Sequence, residues 1–311
     1  MVFTNNTTGN FSFPTVGTIS KTEVTIWIGI QFFLSLLGAL LIVLLLMLMS
    51  RLHKLKTGSG YLIAHALLVD LTFCLVITPI TNIPIYLKQI DFVFPYDCTF
   101  TSFLMLLIVY TANWTAVALA ANRLIAILLP YWYKRFTSPR FTACVVMMIW
   151  SMTMVCAVPT LDLLPGLKHA LLPSGSCGVV RNEGVTFAIL GTLGTYVPLV
   201  LLTIMYSSLF LMFRLGRRFN EGRSESHKNL LKRRLSIAKV LVLSLLWYCL
   251  CTLPTVILTM FYGAWWRRDI RLLLYTRTTQ ILGYAASPVF FLVLRPEYRM
   301  AVKRLLNIGD K

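Results

Sequence analysis

Seven long apolar runs divide the chain: Val24–Met49, Tyr61–Leu87, Phe100–Leu129, Phe141–Leu164, Thr186–Phe213, Leu235–Tyr262 and Leu273–Val293. Each reaches the ~20 residues that cross a hydrocarbon layer as a helix. The runs are continuous rather than alternating, which selects helices over barrel strands. The pattern predicts an all-α membrane protein, a seven-transmembrane helix bundle over residues 24–293. Residues 1–23 form a polar tail, and no cleavable signal is expected before the first run. Over Arg295–Leu306 the period changes: Tyr298, Val302, Leu305 and Leu306 alternate with basic residues. That is the pattern of a short amphipathic eighth helix on the membrane surface, so residues 294–311 read as this helix plus a short tail. Pro79, Pro159, Pro198, Pro254 and Pro288 fall inside runs. Each removes a backbone donor, and neighbouring helices are expected to satisfy the carbonyls left over.

Composition agrees with this pattern. The chain is 57% hydrophobic and 13% charged, too apolar for a soluble domain of this size. Its net charge of +18 is unevenly placed. With alternate loops assigned to opposite sides, one side holds 19 Lys and Arg and the other 8. The richer side is expected in the cytoplasm, which puts the N-terminus outside a plasma membrane. This basic face suits anionic lipid and topology rather than nucleic acid.

The N-terminal tail carries glycosylation sequons at Asn5, Asn6 and Asn10. A further match at Asn113 lies mid-span, out of the transferase's reach. Of seven cysteines, Cys98 and Cys177 are the two expected outside, and an oxidising compartment predicts a disulfide between them. The four histidines are scattered, and no metal-ligand spacing occurs.

Each span from the second to the seventh also carries one landmark: Asp70 in Ala-Leu-Leu-Val-Asp, Asn122-Arg123-Leu124, Trp150, Pro198 with Tyr206, Cys251-Thr252-Leu253-Pro254, and Ser287-Pro288-Val289-Phe290-Phe291. In order and register these resemble the rhodopsin-like G-protein-coupled receptors, across essentially the whole chain after the tail. The departures mark a divergent member. Ala39 stands for the usual first-span asparagine, Asn122 for the acid before the arginine and Thr252 for the tryptophan. Ser287 and Phe291 stand for asparagine and tyrosine.

The resemblance implies a receptor without catalytic chemistry that passes an outside ligand's signal to a heterotrimeric G protein. Arg123, Tyr131 and Tyr206 are the implied coupling residues. Asn113, Pro198, Tyr248, Pro254 and Pro288 are the implied activation switch. Asn113 and Tyr248 are polar where relatives pack apolar side chains, so a bond between them or to a shared water is expected, with separate backbone partners as the alternative. Asp70 implies an allosteric sodium site with Ser287 as a second ligand. The positions that resemble the other ligands, Ala112 and Gly283, lack side-chain oxygens, and a water-bound or protonated Asp70 is the alternative. No other cofactor is implied.

The expected ligand pocket is Tyr86, Met105, Tyr262, Arg277 and Gln280. Ile281 replaces the retinal lysine of opsins and Met105 the aspartate of amine receptors, which excludes a conventional photoreceptor or monoamine receptor. Arg277 lies eleven residues before Pro288, hence inside the span, and an inward guanidinium suits a carboxylate or other anion. An internal pair with Asp162, Glu183 or Asp269 is the alternative. A peptide or small anionic ligand is therefore expected. The rival readings are a non-signalling decoy or heterodimer partner, and a seven-span transporter. The latter would need repeats and a polar midplane path that the chain lacks.

Overall fold

The structure is a computed structural model. It describes residues 19–51, 58–92, 95–129, 131, 133–161, 167–172, 174–182, 189–219, 243, 246–258, 261, 269–294 and 299–300. The first helix, α1 (Lys21–Arg51), is followed by α2 (Gly58–Thr72) and α3 (Thr78–Gln89), which a π turn at Phe73–Ile77 joins into one span. Then come α4 (Cys98–Leu128), the short α5 (Tyr133–Phe136) and α6 (Pro139–Ala157). A hairpin of β1 (Leu167–Leu171) and β2 (Cys177–Asn182) precedes α7 (Val197–Phe219), which a π turn at Thr192–Tyr196 introduces. Further on lie α8 (Leu246–Leu258), α9 (Ile270–Ala285) and α10 (Ser287–Leu294).

Five described helices are long and apolar enough to cross a membrane: Lys21–Arg51, Gly60–Gln89, Cys98–Ala126, Pro139–Thr160 and Ile189–Ser208. The sixth expected span is described mainly at Leu246–Leu258, and the seventh is α9 followed by α10. The seventh carries Thr276, Arg277, Thr278, Thr279 and Gln280 in succession. Such polarity in a span marks a working surface. The sequons, Tyr262 and nearly all of the expected eighth helix lie outside the described residues.

The helices turn their polar and small residues inward together with part of their apolar ones. On α1, Gln31, Ser35, Gly38 and Ala39 are buried, while Phe33, Leu36 and Leu40 are exposed. The outward face differs from that of a soluble helix, because lipid accepts apolar side chains, and small residues inside allow close approach. A Cβ on Gly38 would stand 2.6 Å from the Cβ and 2.8 Å from the Cα of Ala285, so α1 and α9 meet there without a spacer. The helix starts are capped: Asp97 accepts from the amides of Thr99 and Phe100, Ser138 from Phe141, and Asp269 from Arg271 and Leu272.

Both π turns end just before a proline. At the first, Thr78 donates its amide to the Phe73 carbonyl, and Pro79 has no N–H for the Cys74 carbonyl next in that register. Ser35 of α1 fills the gap, donating its hydroxyl at 2.5 Å. At the second, Val197 donates to Thr192, and Pro198 has no N–H for the Leu193 carbonyl of the π register or the Gly194 carbonyl of the α register. The side chains of Trp114 (3.2 Å) and Asn113 (3.0 Å) on α4 donate to them. Neighbouring helices thus satisfy the carbonyls near these two prolines, as the sequence leads one to expect.

The hairpin is fastened at two points. Cys177 is disulfide-bonded to Cys98 at the start of α4. The tip Ser174-Gly175-Ser176 is buried against α3, where the φ of +83° at Gly175 suits only glycine. Any Cβ there would stand 2.8 Å from the Ile85 Cα and the Pro84 carbonyl oxygen.

Candidate functional site

Four groups of polar residues run along the bundle axis. Nearest the disulfide, Arg277 of α9 points between helices and donates from Nη1 to the Met105 Sδ of α4 at 3.3 Å. Its Nε is buried without a partner. Asp269 is engaged as a helix cap, while Asp162 and Glu183 lie outside the described residues. Gln280, three residues on and therefore on the same face, is 6% exposed, and among the described residues no partner bonds its amide. Tyr96, between α3 and α4, donates its hydroxyl to the Ile80 carbonyl. Burial pushes that phenol above its usual range. Tyr86 is half-buried near the same end. The structure thus joins Met105 to Arg277 and sets Gln280 one turn deeper.

Beside this group, a polar seam ties α1, α3 and α9. Trp27 donates its indole N–H to the Leu274 carbonyl (3.2 Å) and the Thr278 hydroxyl (3.1 Å). Gln31 donates to Thr278 at 2.6 Å and accepts from Asn82 at 3.4 Å.

Mid-bundle, Asn113 serves two partners at once. Its Nδ2 donates to the Gly194 carbonyl beside Pro198, and its Oδ1 accepts from the Tyr248 hydroxyl at 2.8 Å. Tyr248 stands 3.4 Å, oxygen to oxygen, from Tyr284, which stacks on Phe73 with ring centres 3.8 Å apart. The expected Asn113–Tyr248 bond is present, and the same Asn113 amide also bonds backbone. In the same layer His65 of α2 joins three helices. It accepts from the Trp150 indole at 3.0 Å on Nε2 and meets the Thr115 hydroxyl at 3.3 Å on Nδ1.

Deeper still, Ser287 donates to Asp70 Oδ2 at 2.5 Å. Asp70 and Ser287 line a cavity of about 110 Å³ together with Ala112, Thr115, Tyr206, Tyr248, Gly283 and Tyr284. The cavity offers a carboxylate and several hydroxyls. Ala112 and Gly283 add no side-chain oxygen, so a cation there would draw its remaining ligands from Ser287, the nearby hydroxyls and water. Tyr206 packs on Val117, Ala120 and Leu202. One turn beyond Ala120 lies Arg123, 8% exposed, at the end of α4 remote from the disulfide. Tyr131 follows at that end, 90% exposed.

The sequence pattern of the 7 transmembrane receptor (rhodopsin family) matches residues 22–288. The chain belongs to that family. Among solved structures, squid rhodopsin shares the fold: the TM-score is 0.74 at 16% identity, over 93% of this chain and 87% of that one. No curated protein matches the chain in a sequence comparison. The protein is a multi-pass membrane receptor, not an enzyme, and its partners are an extracellular ligand and a G protein.

Several residues of this receptor's interior escaped the sequence reading. Ser35, Trp114, Thr278 and Tyr284 carry no landmark. What could have marked the first two is their type, since a lone hydroxyl or indole donor on an apolar helix needs an acceptor, and prolines on the partner helices create acceptors.

Proposed function

We propose that the receptor recognises an extracellular ligand bearing a carboxylate or similar anionic group, bound at Arg277, and passes the signal through Arg123 to a cytoplasmic G protein. The observation that carries this reading is the guanidinium itself. It lies inside the bundle with a thioether as its hydrogen-bond partner and a buried Nε that has none. A guanidinium offers five donors and does not shed its charge. A guanidinium held between helices with a sulfur keeps donors to spare for an anionic group. The disulfide end faces outward on this reading, supported by the excess of Lys and Arg in the loops of the Arg123 end.

The test is a screen of anionic metabolites and short peptides on cells expressing the receptor, followed by Arg277→Gln and Arg277→Lys. A hit that uses Arg277 should weaken on the order of 30-fold in Arg277→Gln, the size of a charge-assisted contact, and recover only in part in Arg277→Lys. Agonists that act equally on all three proteins would remove Arg277 from the pocket.

We propose also that the cavity at Asp70 takes sodium weakly. A carboxylate with Ser287 and nearby hydroxyls supports it, and the missing side-chain oxygens at Ala112 and Gly283 weaken it. In the purified receptor, 150 mM-scale sodium in place of choline should raise the melting temperature by a few degrees, about 1 kcal/mol by mass action, and Asp70→Asn should abolish the rise. An identical rise in both proteins would mean that the ion acts elsewhere.

A further inference from the structure

Toward the disulfide end the bundle holds a half-buried cation, Arg277, and, one turn deeper, an amide that no protein group bonds among the described residues. From these we infer a narrower ligand class: a monocarboxylate that carries a neutral hydrogen-bond donor, such as a hydroxyl or an acylated nitrogen, a few bonds from the carboxyl group. This rests on Arg277 as the anion anchor.

The argument counts charges and bonds. Gln280 lies three residues after Arg277 on α9, so the two side chains stand roughly 5–6 Å apart at their Cβ atoms along one helix face. Arg277 donates and cannot accept. Gln280 presents a carbonyl as well as an amino group, and at 6% residue exposure neither has a protein partner among the described residues, so both are open to a ligand that covers them. A ligand that only accepts would leave that carbonyl buried and unmet, a penalty as large as the bond it would forgo. Asn82 adds a second acceptor on the neighbouring seam: its Nδ2 is given to Gln31, and its Oδ1 is buried with no partner.

The donor is neutral because the described acids at this end are already engaged. Asp97 and Asp269 cap helices, and Glu23 and Asp91 pair at the surface with Arg271 and Lys21. Arg277 itself would repel an ammonium. A second carboxylate fares no better. The cations at the helix ends here, Lys21, Lys88 and Arg271, are exposed, and two of them are already in those surface pairs. A dianion would bury one charge without a counter-ion.

The experiment measures binding of five matched probes to the purified full-length receptor, by thermal shift and by saturation-transfer NMR. They are 3-phenylpropanoate, 3-phenyllactate, N-acetylphenylalanine, phenylalanine and benzylsuccinate. 3-Phenyllactate and N-acetylphenylalanine should bind about 10-fold or more tighter than 3-phenylpropanoate, the discrimination a lost buried partner produces. Phenylalanine and benzylsuccinate should bind no better than 3-phenylpropanoate. Gln280→Met, close in size and shape, should close the gap by weakening the two donor-bearing probes alone. Equal binding of all three monocarboxylates, or preference for the zwitterion or the dianion, overturns the ligand class and leaves the anchor standing. Probes that do not bind, or that bind Arg277→Gln as well as wild type, overturn the anchor and the class together.

Discussion

Arg123→Ala is expected to bring ligand-free G-protein activation down to the empty-vector level, from a wild-type level that stands clearly above it. Two features set the wild-type level. The residue before Arg123 is the neutral Asn122, and the chain at the foot of the sixth span reads Lys232-Arg233-Arg234. Both positions resemble those where relatives place acids that hold the arginine in the resting state. A restraint of this kind, near the membrane surface, is worth up to about 1 kcal/mol per pair. Losing one such pair moves a two-state equilibrium about 5-fold, and losing both moves it further. Three basic residues at a position where relatives carry an acid would act in the same direction. Dissociation sensors for each G-protein subtype, at matched surface expression, measure both numbers. A wild-type signal at background would show that the resting state is held by something other than these charges. A signal that survives Arg123→Ala would place coupling elsewhere. A loss confined to Arg123→Ala also separates a working receptor from a decoy, because a decoy has no basal signal to lose.

The parts of this molecule legible in the sequence are those set by composition along one helix. Length and hydropathy identify the spans. Proline and arginine mark where a span departs from being a greasy rod. Arg277 could be placed inside the bundle because its distance from Pro288 is a matter of helical rise alone. Its pairing with Met105, which bears on ligand recognition, was not legible. Both residues were expected in the pocket, but which atoms meet depends on the rotation of α4 against α9. The same gap explains Ser35, Trp114 and His65. On helices apolar all round, periodicity no longer tells the inward face from the outward one. A single hydroxyl or imidazole gains its meaning only from the acceptor or donor opposite. The π turns at Phe73–Ile77 and Thr192–Tyr196 compound this, since one extra residue in a turn rotates everything beyond it by about 100°. Asn113 and Tyr248 were the exception. Two polar residues at positions expected to be apolar, both facing Pro198, left few partners but each other.

That junction carries the second large effect. Asn113→Leu should destabilise the receptor by about 2–6 kcal/mol, because it strands two buried groups that cost about 1–3 kcal/mol each when unmet. The first is the Gly194 carbonyl, to which Pro198 brings no N–H and which Asn113 Nδ2 satisfies at 3.0 Å. The second is the Tyr248 hydroxyl, whose remaining neighbour, the Tyr284 hydroxyl, is 3.4 Å away. Leucine preserves the volume, so the loss is one of polar satisfaction and not of packing. The backbone has little room to relax: a Cβ at Gly194 would stand 2.4 Å from the Tyr110 ring, so α7 is already pressed against α4 at this level. Tyr248→Phe should cost less, since it strands only the Asn113 Oδ1. The double variant Asn113→Leu/Tyr248→Phe should then be more stable than the sum of the two losses, because removing both ends leaves neither polar atom of that bond unmet. Interhelical bonds in membranes average only about 0.6 kcal/mol by such cycles, so the coupling is expected at or above that value, with the stranded Gly194 carbonyl making up the rest of the Asn113→Leu loss. Melting curves of the purified proteins give the cycle, and basal signalling of the same four gives its functional counterpart. Strict additivity in both would mean that Asn113 and Tyr248 are neighbours without being partners. Coupling in stability alone would make the bond a strut of the bundle. Coupling in both would make it part of the switch, since the bond spans α4 and α8 beside the two prolines around which those helices and α7 would have to move.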